Sequence, residues 1–340
     1  MSKFQTVVED TVEIMTNNPM QAVVLEGAPG GGKTACAHAV ASALTVDSEA
    51  FFMFRPSTKD ETDLSGLPTF NNDEGFVEWL PAEIIYRINQ AAEKFGKAFL
   101  LIDEIGHSTT RMYNGLASLM LDNEIGGHKM DDRVLKFATT NRTEDKAGVT
   151  RMPTHMANRL AHFSLESNLD GWVDWALTAG LPIWLIAFLR FKPNLLNDFD
   201  PSRKVNPTER MWELLSKAVR DTTPDGTFFR ISEGMVGAGA AAELSAFKSV
   251  MYKLPSVDQV LLSPKDFPIP DDEPAVMFAL MGALGANATK DNFDRTCTYL
   301  LRCPPEFQVL GVKDAMKLHP EVKQTRAFTE WALKNKSIFM

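Results

Sequence analysis

Residues 21–34 read QAVVLEGAPGGGKT, and this short stretch constrains the fold more than any other. An apolar run leads into Gly27-Ala28-Pro29-Gly30-Gly31-Gly32-Lys33-Thr34, which fits G-x-x-x-x-G-K-[ST] and is followed by the helix-forming run Ala35–Leu44. Glycines let backbone N–H groups turn inward and approach phosphate oxygens, and the following helix adds partial positive charge at its N-terminus. Lys33 is placed to reach β- and γ-phosphates, and the Thr34 hydroxyl to ligate Mg²⁺. A glycine-rich turn before a helix is the bland alternative. The ordered strand, loop and helix favour a phosphate cradle, so ATP with Mg²⁺ is the expected ligand.

Such a loop belongs at the carboxyl edge of a parallel sheet, and the first half of the chain supplies one. Five apolar runs, Ala22–Leu25, Phe51–Phe54, Phe99–Ile102, Val134–Thr139 and His162–Leu165, alternate with helix-like stretches. That alternation predicts an α/β fold with a five-stranded parallel sheet and flanking helices. Composition turns polar and proline-bearing at DFDPSRKVNP, residues 198–207, and helical patterns follow at Thr208–Arg220, Ser232–Met251, Pro274–Leu284 and Asp291–Leu301. The expected division is a nucleotide-binding domain over 1–167, a helical lid over 168–254, and a mostly helical extension over 255–340. The proline-rich stretch Pro255–Pro274 is expected to run as an extended connection.

Two strand ends carry chemistry. KAFLLIDE, residues 97–104, is a buried strand that ends in Asp103-Glu104, where parallel strands meet a ligand crevice. Asp103 is the candidate for the Mg²⁺ shell, and Glu104 for the general base that orients the attacking water. VLKFATTNR ends in Asn141, whose amide can bond the γ-phosphate or that water. A turn asparagine after a strand is the plain alternative.

Bulk properties exclude several classes. The chain has 340 residues, 44% hydrophobic and 23% charged, and a formal net charge of −9. An acidic balance gives non-specific duplex binding little field to work with. The three cysteines, Cys36, Cys297 and Cys303, form no ligand cluster and suit a reducing compartment. MSKFQTVVED lacks the basic and apolar regions of a secretory signal, and the apolar stretch Leu181–Phe191 is too short to span a bilayer. A cytoplasmic location without a membrane span is therefore expected. The six histidines show no ligand spacing. Trp172, Trp175 and Trp184 read as core packing.

In order along the chain these motifs resemble the AAA+ ATPases, and within them the MoxR-like, helix-2-insert branch. Asp63-Leu64-Ser65-Gly66-Leu67-Pro68 is similar to that branch's Asp-Leu-x-Gly-x-Pro segment, and TFNNDEGFVEWLP to its hairpin insert, with a turn at Asn71–Gly75 and a return strand carrying Phe76, Val77, Trp79 and Leu80. LASLMLDNEIGGHKM resembles the helix and loop before the sensor strand. GVTRMPTHMANRL, residues 148–160, resembles the G-x-x-x-x-P-x-x-x-x-x-R-F motif, with Leu160 in place of phenylalanine. The resemblance implies that Arg159 is an arginine finger reaching a neighbour's ATP; Arg142 and Arg151 are rivals. TERMWELLSKAVR resembles the lid helix with its sensor arginine, here Arg210 in Thr-Glu-Arg rather than Ser-Pro-Arg.

The likeness spans about residues 20–220. It implies a hydrolysing homo-oligomer, a hexameric ring closed by head-to-tail contacts. Chaperone-like remodelling or activation of a protein client is the implied output, with a von Willebrand factor A domain partner. Phe70, Phe76 and Trp79 of the hairpin either grip that client or pack on their own domain. Nucleic-acid remodelling is the alternative, with little in the sequence to support it. A non-hydrolysing switch is disfavoured by Asp103, Glu104 and Asn141.

Overall fold

The computed structural model describes residues 3–145, 148, 150–252 and 254–335. The chain divides into two compact units, Met1–Ser167 with Phe199–Ser202, and Asn168–Asp198 with Arg203–Met340.

The first unit contains strands β1 (Val23–Gly27), β2 (Phe51–Phe54), β3 (Leu67–Asn71), β4 (Phe76–Leu80), β5 (Ala98–Ile102), β6 (Glu124–Ile125), β7 (His128–Lys129), β8 (Val134–Asn141) and β9 (Ala161–Leu165). Five form a sheet in the order β2-β5-β8-β1-β9, parallel throughout. The expected parallel α/β architecture is present, each strand beginning within a residue of its apolar run. Continuous apolar strands suit this sheet because both faces are covered. Successive side chains alternate between two cores. Val24, Leu100, Ile102, Val134 and Ala138 join one cluster, and Val23, Leu25, Phe99, Leu101, Leu135 and Phe137 the other.

The helices here are α1 (Lys3–Asn17), α2 (Lys33–Ala43), α3 (Thr62–Ser65), α4 (Glu83–Phe95), α5 (Thr110–Ala117) and α6 (Thr154–Ala157). Helices α1 and α2 cover one face through Val7, Met15, Cys36 and Val40. Helices α4 and α5 cover the other through Ile85, Ile88, Met112 and Leu116. On the α2 side, Phe51, Phe99 and Phe137 stack from strand to strand with centroids 5.4 and 6.1 Å apart, and His38 stacks on Phe51 at 4.4 Å.

The second unit is helical: α7 (Leu169–Thr178), α8 (Ile183–Phe191), α9 (Glu209–Ala218), α10 (Asp225–Val236), α11 (Ala238–Met251), α12 (Val257–Leu262), α13 (Pro274–Ala286), α14 (Phe293–Leu300), α15 (Pro305–Leu318) and α16 (Arg326–Lys334). One core gathers Leu185, Phe188, Trp212 and Phe247, and a second gathers Leu280, Phe293, Val312 and Trp331. Helix α13 packs on both α8 and α15. Arg190 of α8 donates two hydrogen bonds, 2.6 and 2.7 Å, to the buried Asp314 of α15.

Three expectations change here. The helix expected over Ser232–Met251 is broken at Gly237, whose φ of +85° suits glycine and where a Cβ would lie 3.2 Å from the Val205 carbonyl. The supposed extended connection contains α12, opened by a reciprocal capping box between Ser256 and Gln259. Trp175 is 42% exposed rather than core. No helix among the described residues is long and apolar enough to cross a membrane.

Candidate nucleotide site

The glycine-rich loop joins the carboxyl end of β1 to α2. Gly32 caps α2 with φ +84°, a left-handed conformation that leaves the first-turn N–H groups facing the loop. Gly27 serves a second purpose: a Cβ there would lie 2.6 Å from the Leu165 carbonyl of β9. That glycine is required by strand packing as well as by phosphate approach.

Parallel pairing sets Gly27 beside Asn141, which brings the ends of β1 and β8 together. Lys33 is buried, and its Nζ donates to the Gly27 carbonyl at 2.9 Å, the Ala28 carbonyl at 2.8 Å and Asn141 Oδ1 at 2.7 Å. Thr34 Oγ1 donates to Asp103 Oδ1 at 3.1 Å. The structure thus joins Lys33 to Asn141 and Thr34 to Asp103.

Two residues not singled out in the sequence complete the cluster. Thr139, fully buried on β8, donates its hydroxyl to Asp103 Oδ1 at 2.8 Å and accepts the Glu104 N–H at 2.9 Å. Arg55, just after β2, donates Nε to Asp103 Oδ2 at 3.1 Å. Thr139 lies two positions before Asn141 and so shares its strand face, a period-two signal open to sequence reading. Arg55 carries no such signal, because an arginine after a strand reads as a solvated end.

Glu104 adopts φ 59°, ψ 48°, a left-handed conformation rare outside glycine, asparagine and aspartate. Such strain costs about 1–3 kcal/mol and clusters at functional sites. It turns the carboxylate out of the strand line. Its Oε2 is 3.6 Å from His107 Nδ1, and its side chain is half exposed.

The arginines separate clearly. Arg142 is clamped to Asp145 by two hydrogen bonds, 3.1 and 2.9 Å, and that carboxylate holds its guanidinium proton above the usual range. Arg159 lies between α6 and β9. Its carbonyl accepts a hydrogen bond from Gln21 Nε2 at 3.0 Å, and Ala161, two residues on, donates its N–H to the Ala22 carbonyl at 3.0 Å. Those contacts fix it at the amino end of β1, whereas the phosphate loop leaves the carboxyl end. At about 3.3 Å per residue the two are roughly 16 Å apart along the strand, further than an arginine side chain extends. The Arg159 guanidinium is exposed and forms no ion pair among the described residues. Arg151 is likewise exposed. Val149, within the same motif, lies outside the described residues, as do Lys146 and Ala147. Arg210 belongs to the second unit, exposed in the first turn of α9 behind the Thr208 cap.

The donor set fits Mg²⁺ held jointly with phosphates. No cluster of three or more metal-ligating side chains occurs among the described residues. One carboxylate beside one hydroxyl is the sparse protein share that Mg²⁺ takes when phosphates supply further oxygens.

Parallel sheet, glycine-rich loop and paired strand ends define a P-loop nucleotide-binding domain. Residues 23–160 match the family described as "ATPase family associated with various cellular activities (AAA)". No curated protein matches the chain. Among solved structures, NtrX from Brucella abortus in complex with ADP is similar over 92% of this chain and 69% of its own, at 16% identity and a TM-score of 0.41. A closed-state reconstruction of Hsp104 with ATPγS and FITC casein covers 76% of this chain and 45% of its own, at 16% identity and a TM-score of 0.39. At such scores neither likeness bears on function.

Proposed function

We propose that the chain is an ATP-hydrolysing subunit of a MoxR-like AAA+ ring that does conformational work on a protein client. The observation that carries the hydrolytic reading is the joining of Thr34, Asp103 and Thr139 by hydrogen bonds at the strand ends beside Lys33 and Asn141. Thr34 and Asp103 would hold Mg²⁺, which would supply charge neutralisation to the triphosphate. Lys33 binds those phosphates, and Asn141 orients the γ-phosphate or the attacking water. Glu104 accepts the water's proton as its oxygen bonds to the γ-phosphorus. The bond to the β–γ bridging oxygen breaks, and ADP and phosphate leave.

Arg159 supplies the remaining positive charge in trans. This role is supported by its anchorage at the opposite end of β1 and by its free guanidinium, and it requires a head-to-tail assembly, for which we take six subunits. Arg210 keeps the sensor role implied by the resemblance. A von Willebrand factor A domain protein is the proposed partner class, and the cytoplasm the proposed setting.

Glu104→Gln tests the core of this reading. The variant is expected to bind ATP normally while releasing phosphate about 10²–10⁴-fold more slowly. Unchanged phosphate release would remove Glu104 from the reaction.

A further inference from the structure

The β3–β4 ribbon projects from the first unit with its apolar side chains uncovered. Opposed pairs place Pro68 against Trp79 and Phe70 against Val77. By strand alternation these four share one face, which is wholly apolar. The other face pairs Leu67 with Leu80, Thr69 with Glu78 and Asn71 with Phe76. The six large apolar side chains, Leu67, Phe70, Phe76, Val77, Trp79 and Leu80, are 44% to 59% exposed. Packing against its own domain, the alternative reading of this hairpin, is not what the structure shows.

The ribbon's base is fixed. A Cβ on Gly66 would lie 1.8 Å from the Leu80 carbonyl, and one on Gly126 2.2 Å from the Ser65 carbonyl. His128 Nε2 lies 2.6 Å from the Trp79 carbonyl. Close backbone contacts therefore hold the stem while the faces stay open. A two-stranded ribbon gains little stability by itself, so six uncovered apolar residues on a braced stem indicate a surface meant to be covered.

Charge selects the occupant. From Asp60 to Tyr86 the chain carries seven carboxylates and no lysine or arginine. Asp73 and Glu74 at the turn make no ion pair among the described residues, and Glu78 meets only Asn71, at 3.4 Å. This acidic rim repels nucleic-acid phosphates and anionic lipid headgroups. Ribbon against ribbon in a second copy would set like charges face to face. A complementary partner puts apolar side chains on Pro68, Phe70, Val77 and Trp79, and cations over Asp73 and Glu74 at the turn.

We propose that the β3–β4 ribbon docks an apolar polypeptide segment bearing lysine or arginine. This deepens the client reading above by naming the client's chemistry, and rests on that reading for its purpose.

The test uses the full chain and two fluorescent peptides of equal length, one of leucine and lysine, the other of leucine and glutamate, followed by anisotropy at physiological salt. The cationic peptide should bind more tightly. Phe70→Ser with Trp79→Ser should weaken it about tenfold or more. Asp73→Lys with Glu74→Lys should shift preference toward the glutamate peptide, a gain that an unfolded variant cannot give. Asp271→Lys with Asp272→Lys, in the segment before α13, should change neither. Equal binding of both peptides, or binding indifferent to the ribbon substitutions, overturns the proposal. So does ribbon-dependent self-association that excludes the peptide, or preferential capture of single-stranded DNA or anionic vesicles. Phosphate release is measured on the same samples. Peptide preference without hydrolysis leaves the ribbon assignment standing and removes the ATPase reading, and hydrolysis without preference does the reverse.

Discussion

Lys136 sits in the middle of β8, fully buried, with Nζ donating to Asn123 Oδ1 at 3.2 Å. Burial pulls its pKa down from 10.5 to about 8, against the opposing pull of Asp132 and Asp122. At about 1.4 kcal/mol per pH unit, that displacement corresponds to about 3 kcal/mol of unfavourable charge burial. Below pH 8 both the folded and unfolded chains hold the proton, so the folded state bears the whole cost. Between about pH 8 and 10.5 the folded chain releases it first, so the unfolded chain binds more protons and stability rises with pH. Lys136→Met removes this rise. It also strips Asn123 Oδ1 of a donor, a cost of about 1–3 kcal/mol that does not vary with pH. The variant should thus be as stable as the parent or better by about 2 kcal/mol at pH 7, and less stable by about 1–3 kcal/mol at pH 10.5. The difference itself moves by about 3 kcal/mol. Cys36, the buried thiol of the first unit, reports its unfolding through alkylation along a urea gradient, read by mass at each pH. Differences between variant and parent cancel other titrating groups. A difference that stays constant within about 1 kcal/mol from pH 7 to 10.5 would falsify the account of a buried, titrating cation.

Arg159→Ala should lower turnover by about 10³–10⁵ with ATP affinity intact, whereas Arg142→Ala, at a residue already paired to Asp145, should stay within about tenfold in rate; phosphate-release kinetics separate them, and the reverse order would transfer the finger to Arg142. Arg55→Ala frees Asp103 Oδ2 from a half-exposed cation. The small worth of such a contact predicts a two- to fivefold lower half-saturating Mg²⁺ in nucleotide-binding titrations, and a higher requirement would refute competition between Arg55 and the metal. Gly27→Ala forces β9 away from β1, costing about 1–3 kcal/mol. A lowered melting temperature checks it, and an unchanged one would show that the sheet absorbs the methyl group.

What the sequence disclosed follows from range. The glycine-rich loop, the Asp103-Glu104 pair and Asn141 each sit within a short local pattern, a strand followed by a particular ending, and the structure draws them together because parallel strands finish at one edge. Arg55 and Asp103 are 48 positions apart, and nothing in either neighbourhood announces the contact. Thr139 was within reach of period-two reasoning but looked like one more β-branched strand residue. The hairpin turn at Asn71–Gly75 was legible from turn chemistry, whereas the exposure of Phe70 and Trp79 depends on what the rest of the domain leaves uncovered. In the helical half, propensity ran through Gly237 without stopping, and prolines around residues 255–274 masked the six-residue helix that Ser256 and Gln259 cap.

Arg159 is held at the amino end of β1 and the phosphate loop at the other. In an assembly of the proposed kind, no protomer owns a finished reaction centre; each lends one part and borrows another. A subunit lacking Arg159 would keep its own chemistry, if supplied by a sound neighbour, and silence the protomer it faces. Co-expressed with the parent chain, such a variant would act as a dominant poison whose damage falls next door to the lesion.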